Sequence, residues 1–313
     1  MQPIITITFN PAIDKSTTIP LLVAEKKMYC SEPVYEPGGG GINVARVIKK
    51  LGGDAIAVYM AGGHSGKKFS QLLAEESVTS VVTEIRENTR ENLVVSETGT
   101  NRQYRFVMPG PTIAEAEWTN CLDSIEKLPD VSFIVASGSL PAGMPADIFA
   151  RLAAITRRKN AKLVVDTSGE PLKEAVKAGV YMIKPSIKEL CTLVGQKNLD
   201  EEAAISAAKG IINAGGCEVM VISMGNDGAM MITVDTTLKV KPPPVDVKGT
   251  VGAGDSMVAG LVLSLARNGT LEKALQYGVA CGTAATMNPG TGLCNKDDVE
   301  RLYKMLVRQN ALA

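Results

Sequence analysis

The chain has 313 residues, 45% of them hydrophobic, enough to bury the core of one large domain or two small ones. Lys plus Arg and Asp plus Glu each number 33, so the net charge is zero; this argues against a general nucleic-acid or anionic-membrane partner and makes any cationic site local. Six scattered cysteines without CxxC spacing read as reduced, mostly buried thiols of a cytoplasmic protein, and a single histidine, His64 in the glycine-rich loop 62–66, argues against zinc and, with no G-x-S-x-G elbow, against a serine hydrolase.

The N-terminus is too short and too uncharged for a signal peptide, and residues 4–9 predict a first strand. No apolar run approaches about 18 residues, so no membrane span is expected. Further buried strands are predicted over 55–60, 131–136, 162–166, 181–183 and 219–223. Helical spacing runs over 42–51, 67–76, 145–157 and 201–213, and the chain after Gly252 reads as mostly helical. This alternation predicts an α/β fold, a parallel sheet with helices on both faces. Two stretches depart from it: 17–35 and 92–108 read as extended, the second with a hairpin turn at Thr98-Gly99-Thr100-Asn101. They form either a small accessory sheet or extra edge strands of the main one. No linker, repeat or low-complexity tract divides the chain, so residues 1–313 are expected to be one domain, with accessory strands at approximately 17–36 and 91–108. Pro242-Pro243-Pro244 reads as a stiff connector without chemistry.

Residues 250–256 read Thr-Val-Gly-Ala-Gly-Asp-Ser, and 257–266 are almost all apolar or small. Gly252, Ala253 and Gly254 permit a tight turn whose N–H groups point one way, and the helix behind adds free N–H groups and a positive dipole end. Such a pocket takes a polyanion. Asp255 would repel a phosphate there, but it makes sense as the base for a hydroxyl that attacks one. The plain alternative is a glycine turn with Asp255 as helix cap.

Residues 37–46, Pro-Gly-Gly-Gly-Gly-Ile-Asn-Val-Ala-Arg, let the backbone at Gly38 and Gly39 approach a ligand, with Asn43 facing it from the first helical turn. The rival is the fingerprint of an NAD-dependent oxidoreductase, but that needs a central strand directly before the glycines, and Pro33-Val34-Tyr35-Glu36-Pro37 makes a poor one. Other candidates end predicted strands, where open α/β sheets bind ligands. Asp14 is a sugar-hydroxyl acceptor or a solvated loop residue. Ser139 is a ligand contact or a cap for the helix after Pro145. Lys184 and Glu189 lie near a nucleotide and its metal, or form a surface ion pair. Ser223, Gly225 and Gly228 belong to a turn able to approach phosphate or base, or to a turn alone. Lys27 and Arg90, cations in the two extended stretches, become interesting together if the substrate already carries a phosphate.

Together these motifs resemble the ribokinase-like (PfkB-type) carbohydrate kinase family over essentially the whole chain. Residues 38–46 match its first signature and 250–257 its second, in the right order and separation. Residues 36–46, 104–110 and 137–141 point to one branch, the minor bacterial type of 6-phosphofructokinase. The resemblance implies a large α/β domain holding ATP and sugar, and a small β-sheet lid. It implies Asp255 as base, an anion hole of Gly252, Ala253 and Gly254, and Asp14, Gly38, Gly39, Asn43 and Ser139 on the sugar. Arg90 and Lys27, the latter from a neighbouring subunit, would hold the sugar phosphate. Lys184, Ser186, Glu189, Ser223, Gly225, Gly228, Thr250 and Asn288 would line the nucleotide and magnesium site, with Glu189 toward Mg²⁺. A monovalent-cation (K⁺) loop near Gly249, Val251, Ala285, Asn288, Gly290 and Gly292 is implied as well. The expected reaction is ATP-dependent phosphorylation of fructose 6-phosphate on its 1-hydroxyl, in glycolysis. Tagatose-6-phosphate kinase and 1-phosphofructokinase are the close alternatives, and a non-catalytic sensor is disfavoured by the intact turn around Asp255. Two departures stand out: the family's Asn-x-x-Glu appears as Ser186-Ile187-Lys188-Glu189, and Ala12 stands where the branch often carries serine. Apolar residues of the extended stretches (Ile19, Leu21, Leu22, Val34, Leu93, Val94, Val95, Phe106) predict a homodimer through the lid.

Overall fold

The computed structural model describes residues 2–100, 102–288, 290 and 292–310, the side chain of Asn310 excepted. Asn101 of the expected hairpin turn and Pro289 and Thr291 of the expected cation loop lie outside the described residues. The chain begins β1 (Ile4–Thr8), β2 (Ala12–Ile19), β3 (Val34–Gly38), α1 (Gly40–Lys50), β4 (Ala55–Ala61), α2 (Gly63–Glu75), β5 (Thr79–Glu84), β6 (Arg90–Glu97) and β7 (Gln103–Phe106). It continues α3 (Glu115–Lys127), β8 (Phe133–Ser137), α4 (Ile148–Arg158), β9 (Lys162–Asp166), α5 (Glu170–Ala178), β10 (Val180–Ile183), α6 (Ile187–Val194), α7 (Glu201–Asn213) and β11 (Cys217–Ser223). A hairpin of β12 (Ala229–Ile232) and β13 (Thr237–Val240) precedes the closing helices α8 (Ala253–Ala266), α9 (Leu271–Thr286) and α10 (Lys296–Asn310).

The large sheet has nine strands in the order β13-β12-β11-β10-β9-β8-β1-β4-β5. From β5 to β11 neighbouring strands are parallel; β12 runs antiparallel to β11 and β13 to β12, so the sheet is mixed at one edge. Strands covered on both faces must be apolar on both, which is why β1 and β8 are buried at every position. On one face Ile4, Val135, Val164, Met182 and Val221 share a core with α1, α8, α9 and α10. Their neighbours Ile5, Ile7, Ile134, Leu163 and Val165 share another with α3, α4, α5 and α7. α8 is apolar all round because α1 and α9 both cover it, so its residues Val258–Leu263 have no solvent face.

The small sheet, β3-β2-β6-β7, is separate from the large one. The two extended stretches therefore form an accessory sheet and are not edge strands of the main one. The first strand begins earlier than residue 17, at Ala12, because Asp14, Lys15 and Ser16 sit half-buried in a sheet one layer thick, where polar residues are tolerated. Residues 20–33 carry no strand. β5, β12 and β13 escape a pattern reading. β5 is a mostly exposed edge, and β12 reads Ala-Met-Met-Ile, four residues of which only Ile232 favours a strand. α4 begins at Ile148, three residues later than expected, and His64 is an exposed residue in the first turn of α2, not in a loop.

Candidate active site

The order of strands reverses at β1. From it the chain builds outward through β4 and β5 on one side and through β8 to β13 on the other. The carboxyl ends of β1 and β8 thus flank a crevice of the kind in which open α/β sheets bind ligands. The chain leaves β1 through Asn10 directly into β2, so the small sheet borders this crevice. It also reaches across: Arg105 Nη2 on β7 donates to Thr250 Oγ1 at 3.3 Å.

On the small-sheet side, Asp14 Oδ1 accepts from Asn92 Nδ2 at 2.9 Å, a contact set by the parallel register that pairs the two residues. Its other oxygen lies over Gly38, where a Cβ would stand 2.1 Å away, so any larger residue there would displace the Asp14 side chain. Burial pushes the Asp14 carboxyl above its ordinary pKa, against the Asn92 hydrogen bond and the Arg90 charge. Arg90, at the start of β6, donates Nη2 to Asn10 O at 3.0 Å and Nη1 to Met108 O at 3.3 Å; its Nε is buried without a partner among the described residues. Asn10 in turn donates Nδ2 to Ser139 Oγ at 3.1 Å, so Ser139 belongs to this cluster and caps no helix.

Opposite them stands the 250–256 turn. Gly252 is the N-cap of α8 with φ 72°, a left-handed conformation natural to glycine. Asp255, in the first turn, makes no capping bond; its Oδ2 accepts from Asn43 Nδ2 of α1 at 2.8 Å. Asp255 is therefore not a helix cap, since a cap would face its own helix. Burial, then the nearby Asp166, raise its pKa to about 6, while Asn43 and Lys184 hold it down. Lys184 is buried, with Nζ 3.2 Å from Asp166 Oδ1 and 3.5 Å from the point where a Gly254 Cβ would sit. Burial pulls the Lys184 pKa down, but the charges of Asp166, Asp255 and Glu189 outweigh it and hold the ammonium charged.

A cleft of about 780 Å³ opens on the other side of the same turn. Ser223, Gly225 and Gly228 form one wall, and Thr250, Ala253 and Gly254 close its inner end. Val247, Met257 and Val279 make it apolar, and Pro242, Pro243 and Pro244 line it too, so the stiff connector is a wall of the cleft and has a role the sequence did not suggest. Ser186 is the N-cap of α6: its Oγ accepts from Glu189 N–H at 3.3 Å, and Glu189 Oε2 accepts from Ser186 N–H at 2.7 Å. The serine that replaces the family's asparagine is thus occupied as a helix cap. Asn288 is not among the cleft residues; its Nδ2 donates to Ala284 O and Leu293 O, bracing its own loop. The carbonyl oxygens of Asn288 and Gly290 lie 3.0 Å and 3.5 Å from a Cβ placed on Gly249, and Ala285 O accepts from Asn288 N–H. Val251 lies in the turn ahead of Gly252, and Gly292 leads into Leu293, whose side chain packs under Gly252.

Lys27 is not drawn into the site. It is an exposed residue of the irregular segment 20–33, with Nζ 5.5 Å from the Tyr29 ring centroid, and it makes no hydrogen bond or ion pair among the described residues. Asp166, Asn10, Asn92 and Arg105 are part of the site without having been singled out. Asp166 and Asn10 end or follow a strand beside the crossover, a signal available from sequence; Asn92 and Arg105 depend on strand register.

The sequence profile of the pfkB family carbohydrate kinases matches residues 4–298. The chain is 42% identical over 303 residues to the ATP-dependent 6-phosphofructokinase isozyme 2 of Mycobacterium tuberculosis, covering 96% of this chain and 89% of that protein. It is 40% identical over 309 residues to the protein of the same name from Escherichia coli, covering 98% and 100%. The crystal structure of phosphofructokinase-2 from Escherichia coli in complex with potassium superimposes with a TM-score of 0.95 at 40% identity, over 98% of this chain and 100% of that one. The complex of that enzyme with fructose 6-phosphate superimposes at 0.93 and 39% identity, with the same coverage.

Proposed function

Because this chain belongs to the pfkB family of carbohydrate kinases, we propose that it is an ATP-dependent 6-phosphofructokinase. It passes the γ-phosphoryl group of ATP to the 1-hydroxyl of fructose 6-phosphate, a step of glycolysis. The observation that carries the reading is the place of Asp255, a half-buried carboxylate between the 780 Å³ cleft and the Asp14–Asn43–Arg90 cluster, with one oxygen held by Asn43. Asp255 takes the proton of the attacking hydroxyl. The N–H groups of the Gly252–Ala253–Gly254 turn and the Lys184 ammonium stabilise charge on the transferred group. Asp14, Asn43, Ser139 and the backbone at Gly38 and Gly39 hold sugar hydroxyls. A half-buried guanidinium whose Nε has no partner among the described residues supports Arg90 as a sugar-phosphate ligand.

The cleft suits a nucleotide: an apolar interior for the base, glycine backbone for the phosphates, and an inner end at the N-terminus of α8. Magnesium asks a protein for only one or two carboxylates, since phosphate and water complete its shell; Glu189 and Asp166, which both act on Lys184, fit that donor set. Held there, the ion would supply positive charge that neutralises the phosphates. The carbonyl oxygens converging on Gly249 suit potassium, and the complex of the Escherichia coli enzyme with potassium supports that choice.

The chain is read as one kinase domain with the small sheet as lid. Self-association through the lid is supported by Leu21, Val34 and Phe106, which are 51%, 58% and 43% exposed. Ile19, Val94 and Val95 do not contribute, since the chain buries them itself. Such a dimer gives the exposed Lys27 a neighbouring subunit's site to reach. The free cysteines support a reducing, cytoplasmic setting; among the described residues, no helix is long and apolar enough to cross a membrane. A coupled ADP-release assay over fructose 6-phosphate, tagatose 6-phosphate, fructose 1-phosphate, fructose and ribose tests the reading. Fructose 6-phosphate is expected to give the highest kcat/KM. A preference for fructose 1-phosphate, or for an unphosphorylated sugar, overturns it.

A further inference from the structure

Arg46 is the last residue of the glycine-rich run and lies one helical turn after Asn43, on the same side of α1. It is only 2% exposed. A buried guanidinium is costly unless every N–H is used, and this one is held from three elements. Nε donates to both oxygens of Glu76, at 2.9 and 2.8 Å, beyond the end of α2. Nη2 donates to Glu76 as well and to Glu36 Oε1 of β3 at 3.1 Å. Nη1 donates to Pro37 O at 2.9 Å and to Asn43 Oδ1 at 3.4 Å. Two half-buried carboxylates and a carbonyl therefore leave the fork no freedom to turn.

The amide of Asn43 is thus caught between a fixed cation at its oxygen and the Asp255 carboxylate at its nitrogen. Turned over, it would set its NH₂ against the guanidinium and its oxygen against the carboxylate, replacing two attractions by two repulsions. We infer that Arg46 is a positioning residue for phosphoryl transfer, holding Asn43 in the one orientation that donates to Asp255. The donor occupies Asp255 Oδ2 and leaves Oδ1 for the hydroxyl that reacts. The same guanidinium grips β3, where Glu36 pairs in register with Asp14, so it ties the lid edge to the base. This inference rests on the kinase reading above.

The charged groups that act on Asp255 are Asp166 at the end of β9, Lys184 after β10 and Asp14 on β2, with Asn43 on α1 the hydrogen-bond donor. Freeing the amide weakens one of the two influences that keep the carboxylate ionised. The acid limb of kcat/KM for fructose 6-phosphate should then move to higher pH. The test measures that profile for wild type, Arg46→Met, Asn43→Ala and the double variant. In Arg46→Met we expect a rise of about one pH unit, hence about tenfold loss at pH 5.5 and less than about threefold at pH 8.5. In the Asn43→Ala background Arg46→Met should cost less than about twofold further, because its effect passes through Asn43. Equal fractional loss at every pH, or losses that multiply in the double variant, would show a merely structural role and overturn the inference. If Arg46→Met lacks a cooperative thermal transition, Arg46→Lys replaces it, since an ammonium cannot span both glutamates and Asn43 at once; an intermediate shift supports the inference and no shift overturns it. Selective ¹⁵N labelling of asparagine gives a readout independent of turnover. The Asn43 side-chain amide should be protected from exchange in wild type and exposed in Arg46→Met, and unchanged protection overturns the inference. A wild type that phosphorylates no sugar phosphate overturns the kinase reading instead, and the amide readout still decides the role of Arg46.

Discussion

Replacing Arg90 by alanine tests whether the acceptor carries a phosphate. The guanidinium is half-buried, anchored by the carbonyls of Asn10 and Met108 at 3.0 and 3.3 Å, and its Nε has no partner among the described residues. Burial lowers its pKa, against the charge of Asp14, yet an arginine remains charged. A phosphate that accepts from the free Nε gains a charge-assisted hydrogen bond of roughly 1.5–3 kcal/mol. Its loss lowers kcat/KM for fructose 6-phosphate about ten- to a hundredfold. The truncation also strips two carbonyls of a donor, a structural cost that appears in the unfolding temperature and not in substrate choice. The readout is therefore a ratio, kcat/KM for fructose 6-phosphate over that for fructose, measured by coupled ADP release at saturating ATP. That ratio should fall by the full factor while KM for ATP stays within about twofold, since Arg90 does not line the nucleotide cleft. Arg90→Lys, which keeps the charge and loses the fork, should fall between. Equal losses on both sugars would refute the argument and return the protein to a simple sugar kinase on the same fold.

Asp255→Asn should cut kcat about 10²- to 10⁴-fold with substrate binding by calorimetry largely intact; a near-normal kcat would remove Asp255 as base. The same variant makes a stability prediction with a definite sign. The Asp255 pKa is raised from 3.8 to about 6 in the folded chain, so ionising it costs folding stability, by about 3 kcal/mol for a shift of that size. That cost grows as pH rises from about 4, is complete above about 6, and is absent below 3.8, where both states are neutral. Asp255→Asn should therefore unfold at a higher temperature than wild type at pH 8 and at the same temperature near pH 3.5; a stabilisation independent of pH would contradict this. Gly252→Ala forces a Cβ onto a residue at φ 72° and to 2.6 Å from Leu293 Cδ2, so it should lower the unfolding temperature by a few degrees and lower kcat with it. An unchanged kcat would show that the turn does not need this geometry. Phe106→Glu on the lid should turn a sedimenting dimer into monomer, whereas a wild type already monomeric at micromolar concentration with full activity would exclude the lid interface.

Much of this molecule is legible locally. The β-branched runs at 4–9, 131–136 and 219–223 are buried on both faces, so their composition announces strands without reference to partners. The 250–256 turn and the 37–46 run are legible for the same reason, because glycine and helix-start chemistry act over a few residues. What the sequence leaves open is decided at long range. Ala-Met-Met-Ile, in which only Ile232 favours a strand, becomes β12 because β11 lies beside it. Asp255 is held and oriented because Asn43, 212 positions earlier, meets it across the α1–α8 contact. Arg46 is written as an ordinary helical arginine and becomes a buried hub only when α2 and β3 bring Glu76 and Glu36 to it. The Ser186 hydroxyl is engaged as a helix cap only because α6 starts there. Propensity and turn chemistry are properties of neighbours along the chain, whereas the ionisation and orientation of a site depend on which groups burial forces together, and that is known only once the helices and sheets have packed.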